Sequence, residues 1–75
     1  MPYVNVKITR EGARAEQKAQ LMHDITDSLA RVLGKEPATT FVVIEEVDVE
    51  NWGVAGVPVD TYRRQAARRA RPLDA

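Results

Sequence analysis

The chain contains no cysteine, so it can form no disulfide staple and has no thiolate to hold a metal. Its single histidine, His23, leaves no His/Cys cluster for structural zinc. No apolar run approaches the roughly 20 residues of a membrane-spanning helix. The N-terminus alternates apolar with polar residues instead of presenting the apolar segment of a secretion signal, which makes a cytoplasmic protein without a membrane partner the expectation. Net charge is +0, so the bulk positive field of a dedicated nucleic-acid binder is missing. There is no glycine-rich phosphate loop, no zinc-protease helix motif, no nucleophile elbow and no internal repeat.

What is present makes one domain, residues 1–75, with a core at about 2–64 and a basic C-terminal tail at 65–75. Such a length gives marginal stability alone. With neither disulfide nor zinc available, oligomerisation is the remaining stabiliser, and a hydrophobic fraction of 44% suffices for a core plus an interface.

Val4, Val6 and Ile8 alternate with Tyr3, Asn5 and Lys7, the period-2 pattern of a half-buried strand. Arg10-Glu11-Gly12 reads as a turn. Leu21/Met22, Ile25, Leu29, Val32 and Leu33 then recur at three- and four-residue steps, an apolar helical stripe opposed by Glu16, Gln20, His23, Asp27 and Arg31. Gly34 suits the left-handed residue that ends a helix. Arg14 stands where a Ser, Thr, Asp or Asn cap is expected. Pro37 excludes continued helix, and Thr40–Ile44 forms a second strand, apolar on both faces, that emerges into solvent at Glu45-Glu46. Strand, helix, strand is a βαβ unit with two parallel strands and a right-handed crossover. The segment from Val49 to Val57, rich in turn residues, reads as a short hairpin or arm. Its Trp52 is a core plug, a pocket wall or a cover for a neighbouring subunit.

The fold class is therefore α/β (α+β): two parallel strands, one long helix and a C-terminal hairpin or arm. One helix covers one sheet face only. The other face, with Phe41–Ile44 apolar on both sides, must pack on further copies. Edge pairing makes a dimer, and three dimers around an axis make a homohexamer.

Charge is unevenly spread. From Glu36 to Asp60 every charged residue is acidic, whereas Arg63, Arg64, Arg68, Arg69 and Arg71 crowd the tail. The tail can form a short basic helix stopping near Pro72; it reads as a solvated, frayed end, with an RNA or membrane-surface patch as its alternative.

Pro2 carries the candidate chemistry. If Met1 is removed, its ring nitrogen becomes a secondary amine fixed at the head of a strand. Apolar surroundings disfavour the charged form and bring the pKa toward neutrality, where a rigid amine serves as general base or nucleophile.

Pro2 at the head of a strand, Glu16-Gln17-Lys18 at the helix start, Pro37 before the second strand and Trp52-Gly53-Val54-Ala55-Gly56 after it make the chain resemble the 4-oxalocrotonate tautomerase family. The likeness runs from Pro2 to Arg64. It implies a cofactor-independent tautomerase or isomerase, a β-α-β subunit in a trimer of dimers with active sites shared between subunits, and Pro2 as the base for enol–keto proton transfer. The family's pocket aromatic maps onto Trp52. Its two carboxylate-binding arginines map onto Ala13, with Arg14 and Arg10 beside it, and onto Phe41. Both arginine positions depart from the pattern, so the implied substrate is a small carboxylic acid, a 2-hydroxy-enoic or enolpyruvate-type acid, instead of a dicarboxylate. Arg14, Arg10, Trp52 and Phe41 are the candidate substrate contacts. The resemblance implies no metal and no organic cofactor. Two alternatives keep part of this picture: a hydratase or dehalogenase using Pro2, and a non-enzymatic oligomeric binding module using the arginine tail.

The intact mass of the active protein should lack Met1. An active protein that retains it would leave Pro2 an ordinary amide and sink its role as a base.

Overall fold

Residues 1–70 are described by a computed structural model. Strand β1 (Tyr3–Thr9) turns into helix α1 (Ala15–Leu33), and a 3₁₀ turn (Pro37–Thr39) leads into strand β2 (Phe41–Val47). A second 3₁₀ turn (Val49–Asn51) precedes the short strands β3 (Gly53–Val54) and β4 (Val57–Pro58), and helix α2 (Val59–Ala70) follows directly.

β1 and β2 pair in parallel, with Tyr3 opposite Phe41, Val6 opposite Ile44 and Thr9 opposite Val47. The pleat sorts their side chains. Val4, Val6, Val42 and Ile44 are half-buried on the face toward α1, and Glu46 on that face pairs with Lys18 of the helix. Tyr3, Phe41 and Val43 lie on the other face, which no element covers, and remain 61%, 49% and 41% exposed.

Helix α1 starts without a conventional cap. Arg14 is extended, with φ −90° and ψ 158°, and arginine has no acceptor to offer the free N–H groups. Gln17 compensates from inside the helix: its Oε1 accepts the Arg14 N–H at 2.8 Å, while the Gln17 N–H reaches the Arg14 carbonyl at 3.1 Å. One half of a capping box thus stands without the other. At the far end Gly34 adopts φ 66°, its N–H reaches Ala30 O, and Lys35 N–H reaches Leu29 O, the paired bonds of a left-handed helix stop.

Two sequence expectations need correction. β2 does not end at Ile44 but runs through Glu45 and Glu46 to Val47. Both carboxylates stay in the strand because each finds partners there. Glu45 accepts from Asn5 at 2.7 Å and pairs with Lys7, while Glu46 pairs with Lys18 and Arg10. The basic tail is also not a frayed end within the described residues. It is helical through Ala70, so the boundary drawn at residue 64 falls inside α2. Val59, Tyr62 and Ala66 recur at helical spacing and face inward, and α2 packs on β3, β4 and the turn before them. Its first N–H donates to Trp52 O at 2.8 Å. The expected stop near Pro72 lies outside the described residues.

Burial is sparse. Among the described residues only Val59 is nearly sealed from solvent, at 6% exposure. Of the apolar stripe on α1, Ile25 and Leu29 are half-buried, whereas Val32 and Leu33 remain 69% and 60% exposed. The radius of gyration is 17.6 Å, against roughly 11 Å for a compact chain of this length. This chain does not close a core on itself.

A long-range ion pair fastens α2 to the body. Arg63 Nη1 and Nη2 reach the Glu11 carboxylate at 2.5 and 3.2 Å, and the Thr9 hydroxyl donates to the same group. The Arg63 and Thr9 hydrogen bonds hold the Glu11 carboxyl at about 2, from an ordinary 4.5. A carboxyl depressed on folding contributes stability that is complete above its unfolded value and is lost as pH falls through its folded one. The contribution of Glu11 should therefore fade between pH 4.5 and about 2. The midpoint of thermal unfolding should fall across that window, and Glu11→Gln should make the fall shallower. Equal slopes for the two proteins would refute the assignment.

Candidate active site

The candidate residues separate into two groups at opposite ends of one sheet. Pro2 stands at the head of β1, half-buried, with its carbonyl accepting the Phe41 N–H at 3.0 Å. Met1 before it is 83% exposed. Because the strands run parallel, Phe41 at the head of β2 lies beside the start of β1, opposite Tyr3. Pro2, Tyr3 and Phe41 thus meet at one corner of the sheet, with Tyr3 and Phe41 on the uncovered face and Pro2, in phase with Val4, on the other side of the pleat.

Arg10, Arg14 and Trp52 belong to the other end. Arg10 directly follows β1; its N–H donates to Val47 O at 2.7 Å, and its guanidinium contacts Glu46 at 2.9 Å and Asp48 at 2.8 Å. Arg14 caps α1 and touches only an exposed Glu16, Nε to Oε1 at 2.5 Å. Trp52 follows the turn after β2, with its N–H on Val49 O at 3.2 Å and its side chain half-buried. Eight residues of extended chain separate Pro2 from Arg10, about 26 Å. No small organic acid spans that distance. Within a single chain the candidate residues therefore stand in two separate groups.

The electrostatics of the two arginines differ. Arg10 faces two carboxylates, one of them Glu46, which is only 15% exposed and is held below its ordinary carboxyl value mainly by the Lys18 hydrogen bond. Arg14 has one partner on a solvent-facing helix turn, an arrangement worth little. Its terminal guanidinium nitrogens make no described contact, so it is the freer of the two to bind an anion. Glu16 is likewise lowered by its hydrogen bond from Arg14.

Two features escaped the sequence reading. Tyr3 shares the uncovered face with Phe41, and the strand alternation that sets it opposite Val4 could have shown its side. Below it on the same face, Asn5 bridges the Tyr3 hydroxyl and Glu45, and Lys7 joins Glu45. The pairing of Glu11 with Arg63 joins residues 52 apart, a separation that leaves no trace in local pattern.

Comparison with known proteins is consistent across sequence and structure. The family model for tautomerase enzymes matches residues 2–62. A probable tautomerase of Dickeya dadantii is 51% identical over 67 residues, spanning 89% of this chain and all of the relative. Among solved structures, DmpI from Helicobacter pylori superposes with a TM-score of 0.79 at 38% identity, covering 84% of this chain and 97% of its own. A heterohexameric 4-oxalocrotonate tautomerase from Chloroflexus aurantiacus superposes at 0.72 with 27% identity, covering 80% and 95%.

Proposed function

Since this chain belongs to the tautomerase family and is a tautomerase enzyme, we propose that Pro2, freed by removal of Met1, is the base that interconverts the enol and keto forms of a 2-hydroxy-enoic or enolpyruvate-type acid. The observation that carries this reading is the Pro2 corner. The Phe41 hydrogen bond anchors the carbonyl of Pro2, and Met1 is 83% exposed. A secondary amine held there by its own ring and by the strand has little freedom to lose on meeting substrate. Covering of this corner by a second copy would lower its basicity toward neutrality.

The proposed step is a balanced proton transfer. The Pro2 nitrogen takes the proton of the 2-hydroxyl, the oxygen lone pair forms the carbonyl, and the electron pair of the enol double bond accepts a proton from protonated Pro2. Nothing is oxidised, and the step calls on no cofactor. A cation near the carboxylate favours the negative charge that develops on the enolate. Arg14 fits that role better than Arg10, whose donors are already engaged by Glu46 and Asp48. Trp52, on the Arg14 end, would flank the substrate from the same neighbouring chain, and Phe41 would flank it from the Pro2 chain.

Separation of the half-sites supports an obligate assembly, a homohexamer built as a trimer of dimers. The exposed Tyr3, Phe41, Val43, Val32 and Leu33 supply apolar surface for it, and the Chloroflexus relative is itself a heterohexamer.

Light scattering at micromolar concentration should report several times the 8.4 kDa chain mass, with activity and fold lost together on dissociation. An active, stable monomer would overturn the shared site.

Kinetics should separate the roles. Blocking the Pro2 amine should abolish turnover. Arg14→Ala should lower kcat/KM roughly tenfold to a hundredfold, the loss of one charge-assisted contact of about 1.5–3 kcal/mol. Co-refolding equal amounts of Pro2-blocked and Arg14→Ala chains should then restore intact sites at roughly a quarter of positions, because each site draws its two halves from different copies. No recovery above the parent variants would show that the halves act within one chain.

A further inference from the structure

We propose that Glu11 and Arg63 form a positioning clamp that holds the Arg14 turn and the Trp52 arm in a fixed mutual geometry, and so sets substrate affinity. This rests on the reading of Arg14 and Trp52 as substrate contacts.

The clamp stands where two chain segments meet. Glu11 lies in the turn between β1 and α1, three residues before Arg14. That turn is pinned on one side by Arg10, through Val47, Glu46 and Asp48, and on the other by the Gln17 bond to Arg14 N–H. Glu11 is the residue between those pins with a partner on another element. Arg63 stands on the second turn of α2, whose first N–H is bonded to the Trp52 carbonyl. The helix otherwise packs on β3, β4 and the turn before them, all parts of its own arm. The ion pair thus ties the arm carrying Trp52 to the turn carrying Arg14.

The form of the contact suits a clamp. Both ends of the guanidinium engage both carboxylate oxygens, which fixes orientation as well as distance. The Thr9 hydroxyl adds a third bond and fixes the carboxylate to the end of β1. Both side chains are about half exposed, 54% for Arg63 and 43% for Glu11. An ion pair so exposed adds only modestly to global stability, so its larger effect should fall on local geometry. Arg63 lies one residue beyond the span that the family model matches.

The test is a double-mutant cycle on the assembled, Met-free protein, with Glu11→Gln, Arg63→Gln and the double variant. Phenylenolpyruvate is the substrate probe, and the anisotropy of Trp52, the chain's single tryptophan, reports the arm. Each single variant should raise KM roughly three- to tenfold and leave kcat within about twofold. The double variant should be no worse than either single, since one interaction is lost in all three. Trp52 anisotropy should fall by the same amount in each. The proposal is overturned by an unchanged KM in both single variants, by penalties that add in the double, or by unchanged anisotropy. Should the parent itself leave phenylenolpyruvate untouched, the catalytic reading fails, and the anisotropy cycle alone then upholds or overturns the clamp.

Discussion

One helix cannot cover both faces of a two-stranded sheet. That constraint governs the rest of this molecule. Helix α1 shields Val4, Val6, Val42 and Ile44, and the Lys18–Glu46 pair locks it over that side. The opposite side keeps Tyr3, Phe41 and Val43 in water. Apolar surface of this kind on a chain with, among its described residues, a single nearly sealed one is an unfinished core, which the proposed assembly would complete. In the proposed assembly stability and catalysis have the same requirement, because the covering that would finish the core is also what would bring Pro2 of one chain to Arg14 and Trp52 of another.

Parallel pairing determines which residues share an end. It sets the heads of both strands side by side, so that Pro2 and Phe41 are neighbours, and it sends both tails to the far end, where Arg10 meets Glu46 and Asp48. An antiparallel pair would have mixed the two groups. The division into two groups follows directly from the parallel pairing, and the arm that follows β2 necessarily starts at the arginine end.

Much of this was legible in the sequence, for identifiable reasons. Alternation at Val4, Val6 and Ile8 and the three-to-four spacing along α1 are periodic signals, and Gly34 ends the helix as its backbone freedom allows. Asn51, Gly53 and Gly56 marked the hairpin. The errors came where long-range partners override local composition. Glu45 and Glu46 looked like a strand's exit because charge usually meets solvent, yet Lys7, Asn5, Lys18 and Arg10 keep them in the ladder. The arginine-rich tail looked frayed because its charges dominate its composition, yet Val59, Tyr62 and Ala66 give it an inner face, and Glu11 reaches across to hold it. For the candidate site, the chain offered candidate residues but not their separation, since distance along a sheet depends on which strands pair and in what direction.

Glu45 and Glu46, neighbours in the chain, serve opposite sides of the sheet. Glu46 answers to Lys18 and keeps the helix seated, while Glu45 answers to Asn5 and Lys7 on the surface that awaits another copy. The strand thereby insulates two kinds of change from each other. In the proposed assembly, exchanging or reversing the charges at Lys7 and Glu45 would alter which related chains fit one another, while the contact that seats the helix is left alone. A lineage carrying several such chains would have in this pair of positions an address separate from its architecture.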